Sequence, residues 1–228
     1  MQTTKQGINK MSIATVVMGL SGSGKSTSLR NLNPDETIII QSIKKPLPFR
    51  SADWKAWDNE TKSGSIAVTD NARHICGAIQ KAESNGKSVV IIDDFQYVMA
   101  NEFMRRSGDR GFDKFTEIAK GAWEVFNAAM SAPDSVRVYI MTHVQTDEYG
   151  QGGKLKTIGK LLDEKIVLEG MVSIVLRSLR SDGVYSFRTQ SDGTDTVKSP
   201  IDLFDSEMID NDLNMVDKKI CEYYGIER

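Results

Sequence analysis

Cysteine is scarce in this sequence of 228 residues: only Cys76 and Cys221 occur, far apart and with no second Cys or His at metal-ligand spacing around either. A disulfide framework and a cysteine-based metal site are thereby excluded, and both thiols read as reduced packing residues. No apolar run approaches the roughly 20 residues that a membrane-spanning helix needs, so no membrane role is expected. An excess of charge of one sign is missing too. With 29 Lys and Arg against 31 Asp and Glu, the formal net charge is −2. No large positive field results, and any nucleic-acid contact must come from local clusters or from several subunits together. Internal repeats and low-complexity linkers are absent. Met1 to Lys10 is polar and lacks the apolar core of a secretory signal, which predicts a cytoplasmic protein.

What is present is an ordinary globular composition, 39% hydrophobic and 26% charged, in a chain long enough to bury a full core as one domain. Residues 1–11 are expected to form a flexible N-terminus and 12–228 a single domain. Five apolar, β-branched runs alternate with helical or loop-like stretches: Ile13 to Met18, Thr37 to Ile40, Ser88 to Ile92, Val136 to Met141 and Met171 to Leu179. That alternation predicts an α/β fold with a mostly parallel five-stranded sheet flanked by helices. Phe115, Ile118, Ala119, Ala122, Trp123, Phe126 and Met130 recur at helical spacing and predict an amphipathic crossover helix with these residues in the core. Val184 to Thr189, after Ser181-Asp182-Gly183, predicts the return arm of a C-terminal β-hairpin begun by the fifth run. A last helix is expected from about Asp210 to Asp212, presenting Leu213, Val216, Ile220 and Tyr223 on one side and ending at Gly225. Two long polar loops, Arg105 to Asp113 and Gln145 to Lys160, exceed ordinary connections.

The most specific local pattern is Gly19-Leu-Ser-Gly-Ser-Gly-Lys-Ser26, followed by Thr27, which fits G-x-x-x-x-G-K-[ST] between a predicted strand and a predicted helix. Gly19, Gly22 and Gly24 let the backbone turn tightly. Main-chain amides, together with Ser21, Ser23 and Thr27, can then converge on phosphate oxygens at the positive end of the following helix. Lys25 is suited to reach the β and γ phosphates of ATP, and the Ser26 hydroxyl to ligate Mg2+.

Ser88-Val-Val-Ile-Ile-Asp-Asp94 is an apolar strand that ends in two carboxylates, the form of a Walker B strand. Asp93 is the expected metal-side carboxylate and Asp94 the group that polarises the attacking water. Because this strand is the third run, the fourth, ending in Thr142-His143, has room to insert beside the phosphate-loop strand. That arrangement resembles the RecA and AAA+ branch of P-loop ATPases and makes His143 a candidate γ-phosphate sensor, the other reading being a satisfied polar residue at a strand end.

Over nearly the whole chain, Ile13 to Tyr224, the sequence resembles the phage-encoded short RecA-like ATPases, which include single-strand annealing and recombinase-like proteins and phage nucleotide-binding proteins. Beyond the phosphate loop the resemblance rests on four strings. They are Lys45-Pro-Leu-Pro-Phe49, Ile91-Ile-Asp-Asp-Phe-Gln-Tyr97, Asp113-Lys-Phe-Thr-Glu-Ile-Ala-Lys120 and Lys156-Thr-Ile-Gly-Lys-Leu-Leu-Asp-Glu-Lys-Ile166. It implies a RecA-like P-loop NTPase core, ATP and Mg2+ as ligands, homo-oligomers, single-stranded DNA and other phage recombination or replication proteins as partners, and the bacterial host cytoplasm as location. In RecA-like proteins, DNA-contacting loops follow the Walker B region and the next strand, where the two long loops stand. Arg105, Arg106 and Arg110 in the first, and Lys154, Lys156 and Lys160 in and after the second, are thus candidate phosphate contacts. Asp94 stands where many relatives of the wider branch use a glutamate, and no separate DNA-binding domain fits the length. ATP-controlled binding or annealing of single strands is implied rather than full strand exchange.

Lys44, Lys45, Phe49, Arg50, Trp54 and Trp57 interleave cations and aromatics, a mixture suited to base stacking or to the nucleotide ring, but read first as an edge loop whose rings cover the core. Lys156, Lys160 and Lys165 are candidates for a cation acting on a neighbouring subunit's ATP. Two rival classes share the phosphate loop: a nucleotide kinase, against which no compact Arg-rich lid is found, and a loader or packaging ATPase active only with a protein partner.

Overall fold

Strands buried on both faces need helices on both sides, and this chain provides them. The computed structural model describes residues 12–146 and 152–227; the expected flexible N-terminus, 1–11, lies outside them. In chain order the elements are β1 (Ile13–Gly19), β2 (Thr37–Gln41), β3 (Ile66–Val68), α1 (Ala72–Gln80), β4 (Val89–Asp93), α2 (Gln96–Arg105) and α3 (Asp113–Met130). Then follow β5 (Arg137–Gln145), β6 (Lys154–Leu155), β7 (Ile174–Ser181), β8 (Val184–Arg188), β9 (Met208–Asp210) and α4 (Leu213–Tyr224).

Side chains alternate across the sheet with the period of two that strands impose. Ala14, Val16, Met18, Ile38, Ile40, Val90, Ile92, Val138 and Ile140 form one layer with Ile75 and Ile79 of α1, Val98 and Met99 of α2, and Ile118, Ala122 and Phe126 of α3. Val17, Ile39, Val89, Ile91, Met141, Ile174 and Leu176 form the other with Leu29 and with Leu213, Val216 and Ile220 of α4.

The sheet runs β3-β2-β4-β5-β1-β7-β8-β9, with β6 on the end of β5. From β3 to β7 every pairing is parallel, and β8 and β9 add antiparallel strands at one edge. The fold is therefore the mostly parallel α/β sheet expected, but it is wider than five strands. β3 is a sixth parallel strand, three residues long, and so short an edge strand carries too little periodicity to be read from sequence. The fifth run begins later than expected, because Leu168–Met171 forms a turn of 3-10 helix before β7. Asp182 and Gly183 both take positive φ, 51° and 82°, as a tight two-residue hairpin turn requires.

Two helix readings are corrected in part. α3 is the expected crossover helix, but Trp123 is 43% exposed; α4 buries Leu213, Val216 and Ile220, yet leaves Tyr223 45% exposed. Asp212 caps α4 by accepting from the amides of Asn214 and Met215, and Gly225 ends it at φ 64°. A buried ion pair fastens α4 to the sheet. Asp217 accepts from Arg137 Nε and Nη2, each at 3.0 Å, and from the Tyr139 hydroxyl at 2.7 Å. Cys76 is half-buried and Cys221 buried, and neither forms a disulfide among the described residues.

Candidate functional site

The carboxyl ends of β1, β2, β4 and β5 open on one side of the sheet, where parallel α/β folds place their ligands. Gln41 is in register with Asp93, and Gly19 with His143. The fourth run does lie between the phosphate-loop strand and the acidic strand, since β5 pairs with both β1 and β4.

The loop after β1 is shaped by close approach. A side chain at Gly19 would bring its Cβ within 2.5 Å of Ser23 Oγ and 2.7 Å of the Ser178 carbonyl, and one at Gly24 within 2.7 Å of the Tyr185 ring. Gly22 and Gly24 take φ of 76° and 101°, where glycine alone is unstrained. The far side of the loop is held by β7 and by the segment after β9: Ser178 Oγ donates to the Ser23 carbonyl at 2.7 Å, and Arg30 Nη1 to the Asn211 carbonyl at 2.6 Å. Leu20, Ser21 and Gly22 are exposed, whereas Ser23, Gly24 and Lys25 are buried and Ser26 and Thr27 half-buried.

The helix expected after the loop is a six-residue 3-10 helix, Ser26–Asn31. Asn33-Pro34 follows almost at once, and the residue before a proline is driven to extended backbone, so the helix stops short. Less of a helix dipole stands behind the loop than a full α-helix would supply.

Lys25 Nζ donates to the carbonyls of Gly19 at 2.9 Å and Leu20 at 3.0 Å. Burial pulls its pKa below the ordinary lysine value, against the attraction of Asp94 and Asp93 and with the repulsion of Lys45. Ser26 Oγ donates to Asp93 Oδ2 at 3.0 Å, so the two predicted metal-side groups meet. Burial raises the Asp93 pKa above the usual carboxylate value, although Lys45 opposes the shift. Asp94 Oδ2 lies 2.7 Å from His143 Nε2, and the Tyr97 ring stands edge-on to His143 with centroids 6.3 Å apart. His143 thus contacts the second carboxylate directly.

Lys45 was not among the expected site residues, and the structure brings it there. Its Nζ lies 3.5 Å from Asp93 Oδ2. The aromatic part of the edge-loop reading holds: Trp54 is buried and packs edge-on to Phe49. Position was the signal available in the sequence. Lys45 follows β2, and a strand beside the acidic strand delivers whatever follows its carboxyl end to the carboxylates.

The residues present fit a divalent cation and a polyphosphate. Buried Asp93 Oδ1, Asp94 Oδ1, Thr142 Oγ1 and Ser23 Oγ have no hydrogen-bond partner among the described residues, an arrangement that costs stability unless a ligand answers it. Gly22 faces open space, with nothing within 4 Å of where a Cβ would stand, which leaves the backbone open to close approach. Ser26 and Asp93 would hold the cation, as a hard oxygen pair suits Mg2+.

The candidate nucleic-acid residues lie at the end of α2, in the loop after it, and in and after β6. The first loop is shorter than expected, because α2 runs to Arg105. Arg105 pairs with Asp70 at 2.7 Å and Glu102 at 2.9 Å, and Arg106 with Asp109 at 2.8 Å and with Glu117. These cations are matched by acids of their own chain, while Arg110 is exposed. Lys154 in β6 pairs with Asp163 at 2.5 Å, and Lys156 and Lys160 are exposed. The second loop's residues 147–151 lie outside the described residues. The second loop approaches the first turn of α3, where a Cβ on Gly159 would lie 3.2 Å from the Phe115 ring. Phe112, beside Phe115, is 84% exposed.

No family model matches the chain, and no curated protein does. Among solved structures it is similar to a KaiC-like protein from the hyperthermophilic archaeon Pyrococcus horikoshii, at 13% identity and a TM-score of 0.44, over 80% of this chain and 81% of that one.

Proposed function

We propose that this chain is a Mg2+-dependent ATPase of phage origin, acting in DNA recombination or replication by ATP-controlled binding or annealing of single strands. The observation that carries the ATPase reading is the meeting of Ser26 with Asp93 at 3.0 Å beside a second carboxylate, Asp94, held by His143 at 2.7 Å. Lys25 and the loop amides bind the phosphate tail, and Ser26 and Asp93 would hold a divalent cation, which would neutralise its charge. Asp94, oriented by His143, positions water for in-line attack on the γ-phosphorus. The bond from that phosphorus to the β,γ-bridging oxygen breaks, giving ADP and inorganic phosphate.

Single-stranded DNA suits the surface where the second loop approaches the start of α3. Exposed Phe112 offers a stacking face, and Arg110, Lys156 and Lys160 offer cations for phosphates. His143 links that surface to the carboxylates, since its carbonyl accepts from the Lys156 amide at 3.0 Å. The chain works as a homo-oligomer in the host cytoplasm, so several such surfaces act together despite a net charge of −2.

The test is ATP turnover with and without single-stranded DNA, with particle mass measured in each state. DNA-stimulated turnover in a larger assembly supports the reading. Phosphate transfer to a nucleoside monophosphate replaces it with a kinase, and absence of any Mg-ATP binding removes it.

A further inference from the structure

The phosphate-loop lysine is not the only cation at the carboxylates. Lys45 Nζ lies 3.5 Å from the same Asp93 oxygen, Oδ2, that accepts the Ser26 hydroxyl at 3.0 Å. The Asp93 carboxylate is also one of the groups that would hold a divalent cation, and it is wholly buried.

The backbone beneath Lys45 is fixed. Gln41, at the end of β2, donates from Nε2 to the Lys45 carbonyl at 2.9 Å, and the Ser42 amide donates to the Asp93 carbonyl at 2.9 Å. Pro46 and Pro48 restrict the chain that follows, and Leu47 between them is buried. The side chain itself is 40% exposed, whereas the Asp93 carboxylate it reaches is buried. A long, mobile arm on a rigid base can exchange one anion for another without moving the fold.

The geometry points to Lys45 as a second phosphate-contacting cation of this site, one that neutralises Asp93 until a divalent cation arrives and then turns to the terminal phosphate of ATP. The inference rests on the ATPase reading. Two positive charges cannot share the Asp93 carboxylate at contact distance without repulsion, so the Lys45 ammonium would give way to a divalent cation held there. The phosphate tail that Lys25 and the loop would hold offers the ammonium a new anion. Lys25 supplies charge from within the phosphate loop, whereas Lys45 approaches from β2, on the Asp93 side. An ammonium there strengthens binding of a triphosphate and adds little to a diphosphate.

The test is calorimetric titration of the full chain and of Lys45→Met and Lys45→Arg with Mg-ATP and with Mg-ADP. Manganese binding without nucleotide is followed alongside by electron paramagnetic resonance. For Lys45→Met, the affinity for ATP is expected to fall about tenfold, the scale of one lost charge-assisted hydrogen bond, and that for ADP less than about twofold. Lys45→Arg is expected to recover most of the loss. Manganese affinity of Lys45→Met is expected to rise severalfold, because a competing charge has gone. Equal losses for both nucleotides, or none, overturn the terminal-phosphate contact, and an unchanged or weaker manganese affinity overturns the neutralising role. If the unaltered chain binds neither nucleotide, the ATPase reading itself fails; if it binds both and Lys45→Met matches it, only the role of Lys45 fails.

Discussion

Ser26 and Asp93, 67 residues apart in sequence, are joined by a 3.0 Å hydrogen bond from the hydroxyl to Oδ2. Their strands are not neighbours, because β5 lies between β1 and β4. The segment after β1 therefore reaches across the carboxyl end of β5, which carries Thr142 and His143, to the carboxylate.

Asp93→Asn keeps the shape of the side chain and removes the charge. The ratio of ATP affinity with Mg2+ to that with chelator is expected to fall at least about tenfold, while the metal-free affinity changes little. Ser26→Ala should act in the same direction and less strongly. Calorimetry in both buffers checks this, and an unchanged ratio removes the pair from metal binding.

Asp94→Asn is expected to bind Mg-ATP as the parent does and to turn it over about a hundredfold or more slowly, the scale of a lost general base. His143→Ala should share the defect, since it removes the 2.7 Å contact that holds Asp94. Single-turnover hydrolysis after measured binding separates the two effects. Equal turnover in Asp94→Asn would strip that residue of its proposed role.

Gly24→Ala places a Cβ 2.7 Å from the Tyr185 ring at a backbone φ of 101°. The chain should lose about 1–3 kcal/mol of stability from backbone strain and lose ATP binding as well. Denaturant unfolding and calorimetry of one preparation test both, and a variant of normal affinity would show that the loop tolerates a side chain.

Asp217→Ala leaves Arg137 buried without its carboxylate, at 1% side-chain exposure. A loss of about 3–5 kcal/mol is expected in urea unfolding. Tyr139, in the same cluster, adds a pH signature. Burial, and then the Asp217 charge, hold its phenol well above the ordinary value of 10.0. The folded chain keeps that proton more tightly than the unfolded chain, so this contribution is complete below pH 10 and declines as pH rises above it. Tyr139→Phe should flatten the alkaline loss of stability, and an unaltered slope would disprove the linkage.

Much of the site was legible because its signals are local. The phosphate loop needs three glycines, a lysine and a hydroxyl within one short stretch, and Ser88 to Asp94 announces its own strand and carboxylates. The hairpin turn at Asp182-Gly183 and the helix stop at Gly225 are local in the same sense, since each depends on positive φ at one or two residues. β3 was not legible, because three residues at a sheet edge show no period, and the helix after the loop was overestimated because Asn33-Pro34 cuts it to one 3-10 stretch. Arg105 and Arg106 looked like a basic cluster, but their partners Asp70 and Glu117 come from other elements.

By itself the sequence determined which segments alternate, where the backbone must turn, and which residues offer phosphate, metal and water chemistry, because each depends on neighbours along the chain. Tertiary structure alone decided that Lys45 stands at Asp93, that His143 holds Asp94, and that Asp217 fastens α4 to β5. Those partnerships depend on strand order, and the order of β2, β4, β5 and β1 is set by packing of the whole sheet between two helical layers.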